Sequence, residues 1–391
     1  PMTRPWMDEL NPMQRSAVTH DGGPILVIAG AGTGKTKTLA CRVAWLIEQG
    51  TAPDRILLLT FTRRAASEMI RRAQRLTRSD ISAQIWAGTF HAVSNRLLRR
   101  YGRAIGLEPD FTVMDQADAE DLINLIRGDL ELGDTTRRFP RKQTLLAIYS
   151  RAVNGSVKLR PILEDHFPWC EANVDDIRRV FEEYAKRKQE QHLLDYDDLL
   201  LYWKALCPSP GIGDTVAELF EHVLVDEYQD TNLMQAQILQ AMGCHHRQVM
   251  VVGDDAQSIY SFRAATVHNI LEFPNQFPGT QLIKLEQNYR STQPILDASN
   301  AVMAEAQRQY AKNLFSDRHG QQKPSLITCF DEAAQCNAVC QRVLEQLEEG
   351  NELRKQAVLF RAGHHSDLLE VELARRNIPF VKYGGLKFVE A

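Results

Sequence analysis

The segment VIAGAGTGKTKT (27–38) places a glycine-rich turn between a strand-like apolar run and a helix. Glycines in the turn let backbone N–H groups curl around phosphates, and the N-terminus of the helix adds a favourable dipole. Lys35 can reach the β- and γ-phosphates, and the Thr36 hydroxyl can ligate Mg²⁺. Ala29 stands where the strict pattern has glycine. The sequence predicts a nucleotide site formed by Ala29, Gly30, Ala31, Gly32, Thr33, Gly34, Lys35, Thr36 and Lys37.

The order of strand-like and helical segments predicts an α/β protein with a parallel sheet. From about residue 92 to residue 203 the pattern is helical with no clear strand, so we expect a helical insertion within the sheet domain. Alternating strands and helices favour a parallel sheet covered on both faces. The five runs that we expect to be its strands are ILVIA (25–29), ILLLT (56–60), HVLVD (222–226), QVMVVG (248–253) and QLIKL (281–285).

A second α/β alternation starts after Tyr289. Helices are expected near 294–309, 332–349 and 365–376. The expected strands are SLITCF (325–330), AVLFR (357–361) and PFVKY (379–383). Three strands are few for an α/β sheet, so this second domain is expected to be incomplete.

Asp226 and Glu227 directly follow an apolar run and lie at the predicted carboxyl end of a strand. Open α/β sheets gather their ligands at such strand ends. We predict that Asp226 holds Mg²⁺ and that Glu227 accepts a proton from the attacking water. Gln257 follows the next predicted strand, and its amide is expected to sense the terminal phosphate or the water. Asp226, Glu227, Gln257 and Lys35 are therefore predicted catalytic residues.

The net charge of −4 argues mildly against a nucleic-acid partner, but the charge is uneven along the chain. Residues 61–103 contain ten arginines and two acids, and residues 135–160 contain seven lysines or arginines and no acid. Tyr260 and Phe262 alternate with Arg263, a mixture against which single-stranded bases stack. Core packing is the alternative for the two rings. These features favour a basic, nucleic-acid-binding surface.

Seven cysteines form no C-x-x-C pair. Cys336 and Cys340 lie one helical turn apart, but without a companion pair we interpret them as reduced core thiols rather than metal ligands. A reducing compartment, most simply the cytoplasm, is expected. The sequence has no run of about 18 apolar residues and no visible secretion signal, so we predict neither a membrane span nor a membrane partner.

As a set, these residues resemble the superfamily 1 DNA helicases of the UvrD/Rep/PcrA group. The stretch 357–388 also resembles that family, and Arg63-Arg64 and Phe262 depart from its usual Asn-Lys and Trp. The segments that match in the family's order are LNPMQRSAV (10–18), AGAGTGKT (29–36), LTFTRRAASEM (59–69), GTFHA (88–92), LDYDDLL (194–200), VDEYQDTN (225–232), GDDAQSIYSFRAA (253–265) and LEQNYRS (285–291).

The resemblance implies ATP and Mg²⁺ as cofactors, with Gln14 and Tyr289 at the adenine and Arg290 at the γ-phosphate. It implies ATP hydrolysis coupled to 3′→5′ movement on single-stranded DNA, unwinding at single/double-strand junctions, and roles in DNA repair or replication. The DNA contacts that it implies are Phe61, Thr62, Arg63, Thr89, Phe90, His91, Tyr260, Phe262 and Arg263.

The resemblance also implies a division of the chain around two RecA-like lobes. Two later family motifs, which resemble TxHxxKGLE and YVALTRA, do not occur in the sequence, so we expect a fragment that binds ATP but hydrolyses it slowly. The four predicted segments are the N-terminal half of the first lobe (1–105), a helical insertion (106–195), the C-terminal half of the first lobe (196–286), and a partial second lobe (287–391).

Two other functions remain open from the sequence alone. The first is a nucleotide-gated module that binds single-stranded DNA without unwinding it. The second is a P-loop kinase for a small molecule, which the basic block 61–103 counts against. Binding that weakens steeply with salt separates DNA-binding proteins from a small-molecule kinase.

Overall fold

The computed structural model describes residues 5–77, 81, 84–133, 139–243, 248–259, 265–306 and 309–383. They form two compact units, 1–322 and 323–391. The strands are β1 (Ile25–Ala29), β2 (Ile56–Thr60), β3 (Trp86–Thr89), β4 (Thr112–Val113), β5 (Leu193–Leu194), β6 (His222–Val225), β7 (Val249–Gly253) and β8 (Gln281–Leu285).

The described helices cover most of the remaining chain. They are α1 (Pro5–Asp8), α2 (Pro12–Thr19), α3 (Lys35–Glu48), α4 (Arg63–Thr77), α5 (Phe90–Tyr101), α6 (Gln116–Asp129), α7 (Lys142–Gly155), α8 (Leu159–His166), α9 (Val174–Glu190), α10 (Tyr196–Leu206), α11 (Ile212–Ala217), α12 (Leu233–Gly243), α13 (His268–Gln276), α14 (Gln293–Ala304), α15 (Glu332–Glu348) and α16 (Asp367–Arg375).

Six strands form one sheet in the order β3-β2-β6-β7-β1-β8, and every neighbouring pair is parallel. Successive residues of β1 enter opposite cores: Leu26 and Ile28 pack on one face, and Ile25 and Val27 pack on the other. Burial on both faces explains why the run is apolar throughout. The predicted parallel α/β sheet is therefore confirmed.

The carboxyl ends of parallel strands meet at one edge of a sheet. In this sheet that edge gathers the ends of β1, β2, β3, β6, β7 and β8. The phosphate loop, the acidic pair and the predicted DNA-contact segments all begin there. Residues far apart in sequence thus become neighbours in one site.

Between β3 and β6 the chain forms a helical subdomain with its own core. Its helices α6, α7, α8 and α9 bury side chains around Ile123, Ile148, Ile177 and Tyr184. A short parallel ladder pairs β4 with β5, two residues from each strand, and so joins the two ends of the subdomain. The sequence predicts the helices but neither this ladder nor β3, because strands of two to four residues carry too few alternating positions to reveal a period.

In unit 323–391, α15 and α16 pack through Cys336, Cys340, Leu369 and Leu373. Buried Glu370 pairs with Lys382 at 2.6 Å. The two cysteines are core thiols, as interpreted from the sequence. No strand forms among the described residues of this unit, so the strands expected at 325–330, 357–361 and 379–383 are wrong.

The reason is physical: apolar periodicity reports composition, whereas a strand also needs a hydrogen-bonded neighbour. Leu326, Phe330 and Leu359 are each more than nine-tenths exposed.

No helix among the residues that the structure describes is both long and apolar enough to cross a bilayer.

Candidate functional site

The phosphate loop lies between β1 and α3. Gly32 and Gly34 have positive φ angles of 77° and 88°, which L side chains rarely adopt. The Thr33 hydroxyl donates to the Gly30 carbonyl at 2.7 Å and ties the turn together. Ala29 is the buried last residue of β1, so its methyl group lies in the sheet core and needs no glycine.

Lys35 begins α3 and points to the acidic strand end. Its Nζ lies 2.7 Å from Glu227 Oε2. Thr36 follows in the first turn of the helix, and Lys37 pairs with Glu9 at 3.0 Å instead of facing the acids. The structure thus brings Lys35 and Glu227 together across the sheet edge.

Asp226 and Glu227 differ in environment although they are adjacent. Burial, and then the neighbouring Glu227 charge, raise the pKa of Asp226 to about 7. Among the described residues, Asp226 Oδ1 has no hydrogen-bond partner. Glu227 is in the left-handed region at φ 49° and ψ 46°, which is uncommon for a residue with a side chain. Such backbone strain clusters at functional sites.

The segment after β8 docks on the phosphate loop through backbone and amide groups. The Tyr289 N–H donates to the Gly32 carbonyl at 2.9 Å, and Asn288 Nδ2 donates to the Ala31 carbonyl at 2.5 Å. Asn288 Oδ1 accepts from the Arg290 N–H at 2.8 Å. Buried Asn288 therefore fixes Arg290, whose exposed side chain begins beside Gly32. The sequence alone does not single out Asn288.

Gln14 and Tyr289 approach the loop from the same side. Gln14 Nε2 donates to the Thr33 carbonyl at 2.9 Å, and its Oε1 accepts from the Asn11 N–H in the capping box of α2. Asn11 Nδ2 donates to Tyr289 Oη at 2.9 Å. Tyr289 is 46% exposed, so its side chain is accessible to a ligand.

The loop after β7 carries Gln257, whose Nε2 donates to Asp254 Oδ2 at 2.7 Å. Lys312 lies 2.6 Å from both Asp254 and Asp255 and is nearly inaccessible to solvent. The sequence does not reveal Lys312, because a lysine more than fifty residues from its partners gives no local signal. The predicted contacts Tyr260, Phe262 and Arg263 lie outside the described residues.

The segment after β2 presents three of the predicted DNA contacts. Phe61 is partly exposed at the strand end. Thr62 accepts the Ala65 N–H at 3.1 Å and so caps α4, and Arg63 is exposed in the first turn of that helix. Cations at a helix N-terminus are unfavourable, since the helix dipole is positive there. An anion beside Arg63 would offset that cost.

The segment after β3 differs from its prediction in one residue. Phe90 is 5% exposed and packs near Trp203 at a ring-centroid distance of 6.0 Å. This burial argues against base stacking by Phe90. Thr89 caps α5, and burial lowers the pKa of His91 to about 4, so His91 is neutral at pH 7. Tyr196 belongs to the segment LDYDDLL (194–200), but the sequence assigns it no contact; its exposed ring has its centroid 5.7 Å from that of His91.

A cavity of about 580 Å³ is lined both by the acidic pair after β6 and by predicted DNA contacts after β2 and β3. Its walls include Phe61, His91 and Glu227 from the sheet edge and Tyr196 and Asp197 from the helical side. The acidic strand end and the predicted DNA contacts therefore open into one cleft.

Comparison with known families identifies the fold that carries this site. Residues 10–278 match the family described as the UvrD/REP helicase N-terminal domain. The chain belongs to the UvrD/Rep helicase family. Residues 283–390 match the UvrD-like helicase C-terminal domain.

Relatives of this UvrD/Rep family chain include three bacterial proteins. It is 36% identical over 385 residues to the ATP-dependent DNA helicase PcrA of Leuconostoc citreum, covering 97% of the chain and 50% of the relative. It is 36% identical to DNA helicase II of Salmonella typhimurium and 35% identical to DNA helicase II of Escherichia coli, in both cases covering 98% of the chain and 52% of the relative. The chain thus spans about half the length of these relatives.

Proposed function

We propose that the chain is the ATP-binding and DNA-translocating region of a helicase that moves 3′→5′ on single-stranded DNA and unwinds DNA at junctions. The observation that carries this proposal is the gathering, at one sheet edge, of the phosphate loop, the Lys35–Glu227 pair and the cleft lined by Phe61 and His91. Nucleotide chemistry and the proposed DNA track are then close enough to influence each other.

On the nucleotide side, Lys35 is the proposed phosphate cation and Glu227 the proposed base. Because Lys35 Nζ lies against Glu227 Oε2, phosphates that bind Lys35 compete with that carboxylate. Transfer of Lys35 to phosphate leaves Glu227 able to accept a proton from water. Arg290 then stabilises charge on the transferring phosphate, Gln257 senses it, and Tyr289 and Gln14 flank the base.

The donor set fits Mg²⁺, with the Thr36 hydroxyl and the Asp226 carboxylate as proposed ligands. Oxygen donors suit this hard cation. A cation would also offset the cost of ionising buried Asp226, whose Oδ1 has no partner among the described residues. When bound, Mg²⁺ neutralises charge that develops on the phosphates.

On the DNA side, we propose that Phe61 stacks on bases and that Thr62, Arg63, Thr89 and His91 contact the strand. Neutral His91 contributes a ring and hydrogen bonds rather than a charge. Tyr260, Phe262 and Arg263 are further proposed contacts on their sequence alone.

The four-segment division of the chain stays a prediction. The match to two family descriptions, with a change between residues 278 and 283, supports the boundary proposed at 286, whereas the compact units divide between residues 322 and 323. A reducing, cytoplasmic location is likewise a proposal, supported by the six described cysteines, which are all free thiols.

The test is to measure ATP binding, oligo-dT binding and ATP turnover of this chain, with Glu227→Gln as the hydrolysis blank and Lys35→Ala as the nucleotide-binding control. We expect bound ATP·Mg²⁺ to change the affinity for oligo-dT. We expect slow turnover, since an arginine on the transferring phosphate is worth ~10³–10⁵ in rate and Arg290 is the one arginine that we assign there.

Turnover at the Glu227→Gln level, with ATP and DNA still bound, would favour the nucleotide-gated DNA-binding module for this chain. Fast DNA-stimulated turnover that Glu227→Gln abolishes would support the translocase and remove the expectation of slow turnover. A chain that binds neither ATP nor oligo-dT would contradict the proposed function.

A further inference from the structure

Gln229 lies in the short turn Tyr228–Asp230 after β6, and its side chain is 1% exposed. Its Nε2 donates to Glu227 Oε2 at 2.9 Å. Its Oε1 accepts from the Asp254 N–H at 2.9 Å. Only the amide nitrogen can donate to a carboxylate and only the amide oxygen can accept from an N–H, so the two partners fix the orientation of the amide.

The turn and the loop after β7 approach each other closely around this amide. A Cβ atom added to Gly253 would lie 2.6 Å from Gln229 Oε1. The Ser258 hydroxyl donates to the Gln229 carbonyl at 3.3 Å. Gln229 therefore contacts the β7 loop through its side-chain amide and through its backbone carbonyl. A side chain at position 253 would displace the amide.

Each end of the Gln229 amide touches a residue with a proposed role. Glu227 is the proposed base, and its Oε2 also receives Lys35 Nζ. Asp254 accepts from Gln257, the proposed phosphate sensor, and pairs with Lys312. The same loop leads in sequence to the proposed DNA contacts after Ile259. A single buried amide thus joins the proposed base to the loop that precedes those contacts.

We infer that Gln229 is a positioning residue that couples the Glu227 carboxylate to the β7 loop, so that nucleotide occupancy and DNA binding depend on each other through it. This inference rests on the proposed function. When Lys35 engages phosphate, Gln229 remains as a donor to Glu227 and keeps that carboxylate oriented. A shift of the β7 loop moves Asp254, and through the amide it moves the base.

Three variants of the chain separate this role from a merely structural one. Gln229→Glu has the same shape and still accepts from the Asp254 N–H, but it places a carboxylate against Glu227. Gln229→Met removes both hydrogen bonds. Gly253→Ala keeps glutamine at position 229 and crowds its amide from the other side, and the added Cβ also crowds Ile270 Cδ1 at 2.7 Å.

A matched control is Gln235→Glu. Gln235 lies on α12, and its Oε1 accepts from the Asn232 N–H at 3.0 Å, a bond that a glutamate can keep. Within the described residues, the hydrogen bonds of Gln235 go to Asn232 and reach neither Glu227 nor the β7 loop. Gln235 also lines the cleft, so Gln235→Glu adds the same charge there without altering either bond of Gln229. We expect it to lower oligo-dT affinity with and without nucleotide alike and to leave the ratio of the two constants unchanged.

The measurement is the dissociation constant of labelled oligo-dT with and without a non-hydrolysable ATP analogue and Mg²⁺. The ratio of the two constants is the coupling between the sites, typically about 5–150-fold in coupled proteins. We expect Gln229→Glu, Gln229→Met and Gly253→Ala to reduce the ratio to below about 2-fold. The analogue's own affinity should change by less than about 3-fold, since no bond from Gln229 to the phosphate loop is proposed.

Thermal unfolding checks that each variant is folded. If the wild-type chain is coupled and the folded Gln229 and Gly253 variants keep the wild-type ratio, the inference is wrong and the proposed function stands. If the wild-type chain has the same affinity for oligo-dT with and without the nucleotide, the proposed function is overturned and this inference with it. If Gln229→Met does not fold, Gln229→Glu and Gly253→Ala decide the question on their own.

Discussion

At the residue scale, close approach explains why particular small or polar residues occupy the site. Gly30 faces Leu314, and a Cβ on Gly30 would lie 2.5 Å from that side chain. A Cβ on Gly32 would lie 2.7 Å from Asn288 Nδ2. These glycines therefore serve two purposes: both shape the phosphate loop, and their missing side chains leave room for Leu314 at Gly30 and for the segment that carries Arg290 at Gly32.

We predict that Gly32→Ala weakens nucleotide binding and destabilises the protein. The left-handed backbone costs an alanine roughly 1–2 kcal/mol, and crowding against Asn288 adds about 1–3 kcal/mol. Gly23→Ala is a matched control, because Gly23 has φ +84° but open space where the Cβ would lie. Chemical denaturation and ATP titration of both variants measure the difference. Equal losses in the two variants would mean that backbone strain alone matters at Gly32.

The same scale explains which site residues the sequence reveals. Lys35, Thr36, Asp226 and Glu227 can be proposed from the sequence because each belongs to a short local pattern with a chemical meaning. Gln229 and Asn288 lie in segments that resemble the family, but the pattern gives them no role, and Lys312 gives no local signal at all. The importance of all three lies in partners that the fold brings together. Phe90 shows the opposite failure, since an aromatic residue in a contact motif belongs to the core.

At the scale of elements, long apolar runs predict strands correctly, whereas short or unpartnered runs do not. β1, β2, β6 and β7 lie within a few residues of their predicted places because both faces of an interior parallel strand are buried. The edge strand β8 also lies at its predicted place, although its first two residues are exposed. β3 contains Ala87 and Gly88, which carry little apolar signal. The apolar runs of unit 323–391 have the composition of strands, but none of them pairs with a neighbouring strand among the described residues.

The junction between α9 and α10 contains a buried charge cluster. Lys188 Nζ lies 2.6 Å from both Asp195 and Asp198, and all three side chains are under one-tenth exposed. Burial alone would lower the pKa of Lys188, but the two carboxylates raise it above its ordinary value. Burial and then Asp195 raise the pKa of Asp198 to about 6. Asp195 also caps α10, so this cluster fixes the return of the chain to the sheet.

We predict that Lys188→Met destabilises the helical subdomain by about 3–5 kcal/mol, because it leaves two carboxylates buried without a cation. A carboxyl whose pKa is raised by folding favours the folded state less as pH rises through that pKa. The loss should therefore be larger at pH 8 than at pH 5.

The control is Lys186→Met on the same helix, where exposed Lys186 makes only surface ion pairs worth about 0–1 kcal/mol. Urea denaturation at the two pH values compares the variants. A pH-independent loss in Lys188→Met would show that lost packing, not charge, is responsible.

At the scale of the whole molecule, a net charge of −4 coexists with exposed Arg63 and Arg64, which follow the cleft-lining Phe61 in sequence. Some arginines of the basic block are structural: Arg99 donates to the Pro109 and Phe111 carbonyls, and Glu68 binds Arg72. Arg63 has no such contact among the described residues and remains available for a phosphate. Local placement, rather than total charge, determines the surface that we propose for DNA.

We predict that Arg63→Ala and Arg64→Ala each weaken oligo-dT binding and reduce the slope of log affinity against log salt by about 0.7, the value for one phosphate contact on a single strand. Arg178→Ala is the control, because exposed Arg178 pairs with Asp175 on α9. Fluorescence titrations over a salt series give the slopes. An equal change in the control would mean that diffuse charge, not this track, attracts the strand.

The ladder between β4 and β5 has a consequence for how the chain reaches its native state. β2 pairs with β6, and the whole helical subdomain lies between these two strands in sequence. Sheet formation must therefore bring together segments that are distant in sequence. Pairing Thr112–Val113 with Leu193–Leu194 first more than halves the free chain between β3 and β6. With a logarithmic loop-closure entropy, that shortening favours sheet closure by about 0.8 kcal/mol. We therefore expect these two residue pairs to form together with the helical subdomain, before the sheet pairs strands that are distant in sequence.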